Sequence, residues 1–202
     1  MTGLTFGPLP DDTLVLCIDM QRLFMEPGDW FCPEALTILP NVEALVRARP
    51  AQTLFTRFIS ADRAETASGA WQRYYTRWAS VTVDRIGTAP FNLHETLRPH
   101  ALPHNVFDKT THDAFDAQPF ADRVGIDGPA SLVFCGVETD VCILASVLSA
   151  IDLGHRVVLV RDAMASSVPA SHDAALTLMQ SRFDQQVETV DTAELLSAWG
   201  AP

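Results

Sequence analysis

The sequence predicts one α/β domain built on a parallel sheet of about six strands, with helices on both faces. Three observations lead there. Short, almost wholly apolar runs recur at residues 13–18, 132–135 and 156–160, and such runs suit strands buried on both faces of a parallel sheet. Segments with apolar residues at three- and four-residue steps separate them, so strand and helix alternate about six times. The 202 residues, 48% hydrophobic, suffice for a single domain over the whole chain that buries about 70% of its unfolded surface, and no linker, repeat or low-complexity stretch divides them.

The run 13–18 is the first expected strand, and Asp19 follows it directly. In open α/β sheets ligands bind beyond the carboxyl ends of the strands, so Asp19 stands either where chemistry occurs or as a turn or helix cap. From Gln21 to Pro40, the residues Pro27, Gly28, Pro33 and Pro40 predict a long loop whose aromatics Phe24, Trp30 and Phe31 either wall a pocket or anchor the loop. A short helix is expected over residues 41–48, with Val42, Leu45 and Val46 on one face, then a second strand over 52–58. Residues 69–77 read as helix, with Trp71, Tyr74, Tyr75 and Trp78 at helical spacing, a stripe more typical of packing than of ligand binding. Residues 105–109 form a third strand ending in Lys109, which is either a surface charge or part of a site.

The strand at 131–135 closes at Gly136. Beyond it Leu144, Val147, Leu148 and Ile151 predict a helix that Gly154 terminates and that Thr139 or Asp140 can cap at its start. Cys142 then falls in the first helical turn, where unpaired N–H groups and the helix dipole stabilise a thiolate or a developing anion. By that local setting alone, Cys142 is equally a small apolar residue packed under the sheet. Strand ends carrying Asp19, Lys109 and Cys142 converge on one edge of a parallel sheet, and the convergence favours a site for all three. Cys17 and Cys135 lie inside strand runs and read as core, while Cys32 carries no signal. A strand from 156 to 160, a helix over 171–181, an edge strand over 186–190 and a closing helix over 191–199 complete the chain.

With 14 Lys and Arg against 25 Asp and Glu, the net charge of -11 argues against a nucleic-acid partner. No apolar run reaches the ~18 residues of a membrane span, and the first residues lack the basic start and apolar block of a signal peptide, so a cytoplasmic protein is expected. The four cysteines include no C-x-x-C pair, and neither a dinucleotide fingerprint nor a P-loop occurs. His94, His100 and His104 sit among Pro99 and Pro103 with no defensible metal spacing, and read as loop histidines. No cofactor is called for.

Four segments in this order resemble the isochorismatase-like cysteine hydrolases: Leu16-Cys-Ile-Asp-Met-Gln21, Val106-Phe-Asp-Lys109 with Phe115 beyond it, Cys135-Gly-Val-Glu-Thr-Asp-Val-Cys142, and Val158-Leu-Val-Arg-Asp-Ala163. The resemblance implies a Rossmann-like sheet of six parallel strands and a triad of Cys142 as nucleophile, Asp19 as base and acid, and Lys109 as the cation holding both. It also implies a cis peptide at Val137-Glu138 that turns the Glu138 and Cys142 N–H groups toward one oxyanion.

Nicotinamidase-type members carry an Asp-x-His metal site after the second strand, where this chain reads Arg57-Phe-Ile-Ser-Ala-Asp-Arg63, so no metal is implied. A serine usual four positions beyond the lysine is Asp113 here. Because members that cleave the enol ether of isochorismate lack the cysteine, Cys142 implies an amide, ureide or carbamoyl substrate. The alternatives are an enol-ether hydrolase using Asp19 as acid, and a catalytically silent binding protein. The candidate pocket residues are Phe24, Trp30, Trp71, Tyr75 and His112, and the resemblance implies a homodimer or homotetramer.

Overall fold

The computed structural model describes residues 4–125 and 128–200. Six strands, β1 (Leu14–Ile18), β2 (Thr53–Phe58), β3 (Val106–Lys109), β4 (Ser131–Val137), β5 (Arg156–Ala165) and β6 (Val187–Val190), form one all-parallel sheet in the order β3-β2-β1-β4-β5-β6. Every residue of β1 and β4 is buried, so the centre of the sheet is covered on both faces, as their unbroken apolar runs require. Eight α-helices occur among the described residues: α1 (Arg22–Met25), α2 (Glu34–Ala48), α3 (Ala70–Arg77), α4 (Val83–Ile86), α5 (Gln118–Val124), α6 (Leu144–Asp152), α7 (Pro169–Arg182) and α8 (Thr192–Ala198). None is long and apolar enough to cross a membrane.

The strand order reverses direction between β1 and β4, which creates a crevice beyond their carboxyl ends where neighbouring connections leave to opposite sides. Gly136 brings the two strand ends together there. It adopts φ +110°, and a Cβ at this position would stand 2.1 Å from the carbonyl oxygen of Ile18, so only glycine fits. Asp19, one residue beyond Ile18, itself lies in the left-handed region at φ 49°, a conformation aspartate tolerates better than most residues. Gln21 then ties β1 to β2: its Oε1 accepts from Phe58 N–H at 2.7 Å, and its Nε2 donates to the carbonyls of Phe58 (3.1 Å) and Phe91 (2.8 Å).

Two segments differ from expectation. The loop expected from Gln21 to Pro40 is helical at both ends, since α1 starts at Arg22 and α2 starts at Glu34 and runs straight through Pro40. Ala35, Ile38, Val42, Leu45 and Val46 give α2 a continuous buried face, and that burial outweighs the one backbone hydrogen bond a proline removes. Strand β5 continues to Ala165 instead of ending near Val160. Its register with β4 slips between the Phe134/Leu159 and Gly136/Met164 pairs, so extra residues of β5 bulge out while its end returns to the sheet beside Val137.

Candidate active site

The crevice beyond β1 and β4 holds a buried acid, a buried lysine and a buried thiol. Asp19 is wholly inaccessible and Lys109 almost so, and their Oδ2 and Nζ atoms pair at 2.8 Å. Lys109 begins two strands away, at the end of β3, and reaches across β2 with its ammonium 4.9 Å from the centroid of the Phe58 ring. Its other two protons go to the carbonyls of Thr111 and His112, both at 3.0 Å. Thr56, on the intervening β2, donates to Asp19 Oδ1 at 2.7 Å and accepts the Asp19 N–H at 3.2 Å. One carboxylate oxygen therefore faces a hydroxyl and the other a cation. Thr56 gave no signal in the sequence, because a threonine in a strand is ordinary until its neighbour across the sheet is known.

Cys142 sits in a π-helical turn, Thr139–Ile143, which leads from β4 into α6. The residues expected to cap this turn do something else: the Thr139 hydroxyl donates to the Ala165 carbonyl at 3.1 Å and contacts His172 Nδ1 at 2.9 Å, while Asp140 Oδ1 is buried with no hydrogen-bond partner among the described residues. The N–H groups of Val141 and Ile143 both donate to the Glu138 carbonyl, at 3.2 and 3.1 Å. The Val137-Glu138 peptide is cis. Ser146, a residue the sequence reading passed over, donates to the Cys142 carbonyl at 2.8 Å and accepts from Ala114 N–H at 2.9 Å, which fastens the turn to the segment after Lys109. Asp113 points elsewhere: it accepts from Phe115 N–H at 2.9 Å and from the Ser149 hydroxyl.

Asp19 and Lys109 both act electrostatically on the buried Cys142 thiol. Burial, and then the charge of Asp19, push the thiol well above its ordinary range, and Lys109 offsets only part of this. Lys109 does lower the cost of a thiolate, but burial and Asp19 together outweigh it. Lys109 is already matched to Asp19, and a thiolate would be a second anion on one cation. Burial alone would favour neutral Lys109, but Asp19 beside it offsets this and the ammonium is held above its usual range.

A cavity of about 380 Å³ opens onto Cys142. Phe24, Trp30 and His112 line it as expected, joined by Phe58, Tyr74, Trp78, Asp29, Arg77, Glu138 and Asp140. Trp30 is the hub, with ring centroids of Phe24, Phe58, Tyr74 and Trp78 all 5.8–6.2 Å away. Trp71 and Tyr75 do not line it. On α3 these two form one i, i+4 ridge and Tyr74 with Trp78 the adjacent one, and the rotation of the helix turns the second ridge to the cavity. Trp71 stands behind, 4.9 Å from the His112 ring, and buried Tyr75 stacks on Trp71 at 6.0 Å. Burial, helped by Lys109, lowers the His112 pKa, so the imidazole facing the cavity is neutral at pH 7. Among the described residues, no three His, Cys, Asp or Glu side chains gather as metal ligands.

A parallel sheet ordered 3-2-1-4-5-6, with a buried acid, lysine and thiol near its switch point, is a Rossmann-like α/β framework. The isochorismatase domain model matches residues 13–194, and the chain belongs to the isochorismatase family. Its curated relatives include two streptothricin hydrolase sequences from Streptomyces noursei. One is 31% identical over 166 residues, covering 81% of this chain, and this chain spans 54% of its length. The other is 32% identical over 212 residues, covering 100% of this chain and 77% of the relative. The fold is shared with the crystal structure of a cysteine hydrolase from Pseudomonas syringae pv. phaseolicola 1448A, at a TM-score of 0.75 and 18% identity over 98% of this chain and 99% of that one.

Proposed function

We propose that the protein hydrolyses a linear C–N bond of a small amide, ureide or carbamoyl compound through a thioester on Cys142. The observation that carries this reading is the buried Asp19–Lys109 pair, 2.8 Å apart, at the strand ends beside buried Cys142, which lines a cavity walled largely by aromatic rings. Because the resting sulfur holds its proton, the base must act during attack: Asp19 accepts the thiol proton as sulfur bonds to the substrate carbonyl carbon. The resulting oxyanion is received by the N–H groups of Cys142 and Glu138, donors whose loss typically costs about 2.7–4 kcal/mol each in acyl-transfer enzymes. As the C–N bond breaks, the proton held by Asp19 leaves with the amine or ammonia. Water then attacks the thioester and gives a proton to Asp19, which returns it to the sulfur as the acid product departs. Lys109, paired with Asp19 at 2.8 Å, orients it.

The names of the relatives, streptothricin hydrolase and cysteine hydrolase, agree with this chemistry, and streptothricin belongs among the first substrates to try. The test is ammonia or amine release from a panel of small amides, ureides and carbamoyl compounds, with rapid quenching and intact-protein mass measurement. An acyl adduct on the Cys142 peptide is expected. Turnover of any panel member by Cys142→Ala at the wild-type rate would overturn the proposal. A dimer or tetramer is proposed for the protein in solution, to be checked by sedimentation velocity.

A further inference from the structure

The wall of the cavity is more acidic than its floor. Asp19 and Lys109 neutralise each other at the bottom, and His112 is held neutral, whereas Asp29, Glu138 and Asp140 face the space above with Arg77 as the one guanidinium. Two of these carboxylates are fixed in place with an oxygen to spare: Glu138 Oε1 accepts the Ser167 N–H at 2.9 Å, and Asp29 Oδ2 accepts from the Ser80 hydroxyl. Asp140 Oδ1 is buried with no hydrogen-bond partner among the described residues, a costly arrangement unless a donor arrives. Trp30, Tyr74 and Trp78 line the same space, and the Arg77 guanidinium already lies 5.1 Å from the centroid of the Trp78 ring. Aromatic faces and anchored carboxylates around one cavity bind the same thing, an organic cation, and repel a carboxylate-bearing ligand such as a dianionic enol ether.

We propose that the substrate carries an ammonium or guanidinium group away from the bond that is broken, and that Glu138 and Asp140, with the Trp30–Trp78 wall, select it. The proposal rests on the site described under Proposed function, but the recognition of charge does not require the chemistry. It is therefore tested on Cys142→Ala, by calorimetry and by quenching of tryptophan fluorescence, with three probes of similar length: Nα-acetyl-lysinamide, Nα-acetyl-norleucinamide and Nα-acetyl-glutamate amide.

The lysine probe is expected to bind about 10-fold tighter than the neutral one, with the acidic probe weakest, and the preference should shrink as salt rises. Glu138→Gln and Asp140→Asn, each checked for an unchanged melting profile, should each reduce the lysine-to-norleucine ratio by about 3-fold or more while leaving the neutral probe unaffected. Equal binding of the three probes, no binding by any, or a preference that survives both substitutions would overturn the inference. Thioester formation by the wild type on neutral amides, without cation preference, would sink this inference and leave the hydrolytic reading standing. Cation preference without any acyl adduct would do the reverse.

Discussion

The floor and the wall of the cavity are built on different principles. On the floor, Asp19, Lys109 and Cys142 stand at the ends of three parallel strands, nearly inaccessible, each held by directional bonds to the ends of neighbouring elements. The aromatic part of the wall comes from α1, α3 and the connections between them, where half-buried rings lean on one another and only Tyr75 of the α3 aromatics is fully buried. The floor is a low-dielectric set of charges in which any one loss strands the others, whereas the wall is a set of separable contacts. Substitutions on the floor should therefore be severe and non-additive, and those on the wall mild and nearly additive.

The largest effect is expected at the acid and the thiol. Asp19→Asn and Cys142→Ala should each lower kcat by about 10³-fold or more, with the double variant scarcely worse than Cys142→Ala. The two charges around the sulfur add a sign test. Removing Asp19 takes away an anion, so Asp19→Asn should lower the Cys142 thiol pKa and increase thiolate absorbance near neutral pH while turnover falls; Lys109→Ala should move it further up. Movement of both variants in one direction would separate the three groups and break the contrast between floor and wall.

Next in size is stability. Lys109→Ala leaves Asp19 buried without its cation and should cost roughly 3–5 kcal/mol in urea unfolding. Thr56→Val removes the hydroxyl that pairs with Asp19 Oδ1 and should cost about 1–3 kcal/mol and lower kcat, although Thr56 lies on the strand between those that carry Asp19 and Lys109.

On the wall, Trp78→Ala should raise KM by about 5- to 30-fold with kcat close to wild type, and Trp71→Ala should act less on KM because it reaches the cavity only through other rings, those of His112, Tyr74 and Phe58. A kcat loss at Trp78 as large as that at Asp19 would mean that the wall is coupled to the floor.

The smallest effect is alkaline. A thiol pKa raised in the folded state means that, above the ordinary value of 9.0, the unfolded chain releases a proton that the folded one keeps, so stability falls as pH rises. The slope is at most about 1.4 kcal/mol per pH unit for one group. Cys142→Ala should therefore lose less stability between pH 9 and 11 than the wild type, with buried Cys17 and Cys32, whose thiols are also raised, supplying the remainder. Identical pH profiles would show that Cys142 is not held as the thiol.

Most of the sheet was legible because a strand buried on both faces writes itself as an uninterrupted apolar run, and residues placed just after such runs must emerge at one edge of a parallel sheet. That rule alone brought Asp19, Lys109 and Cys142 together, and it placed Gly136 and the cis Val137-Glu138 bond next to them once the family resemblance was added. It did not show that α2 would carry Pro40 inside it, since propensity describes a segment in isolation and the sheet rewards its buried face. Thr56, Ser146 and the choice of Tyr74 and Trp78 over Trp71 and Tyr75 were decided only by tertiary structure. Each depends on the rotation or register of one element against another, a relation between segments far apart in the chain that no local pattern encodes. The protonation of the resting sulfur belongs with them, because it is set by the balance of burial, Asp19 and Lys109, and that balance exists only once the three strand ends have met.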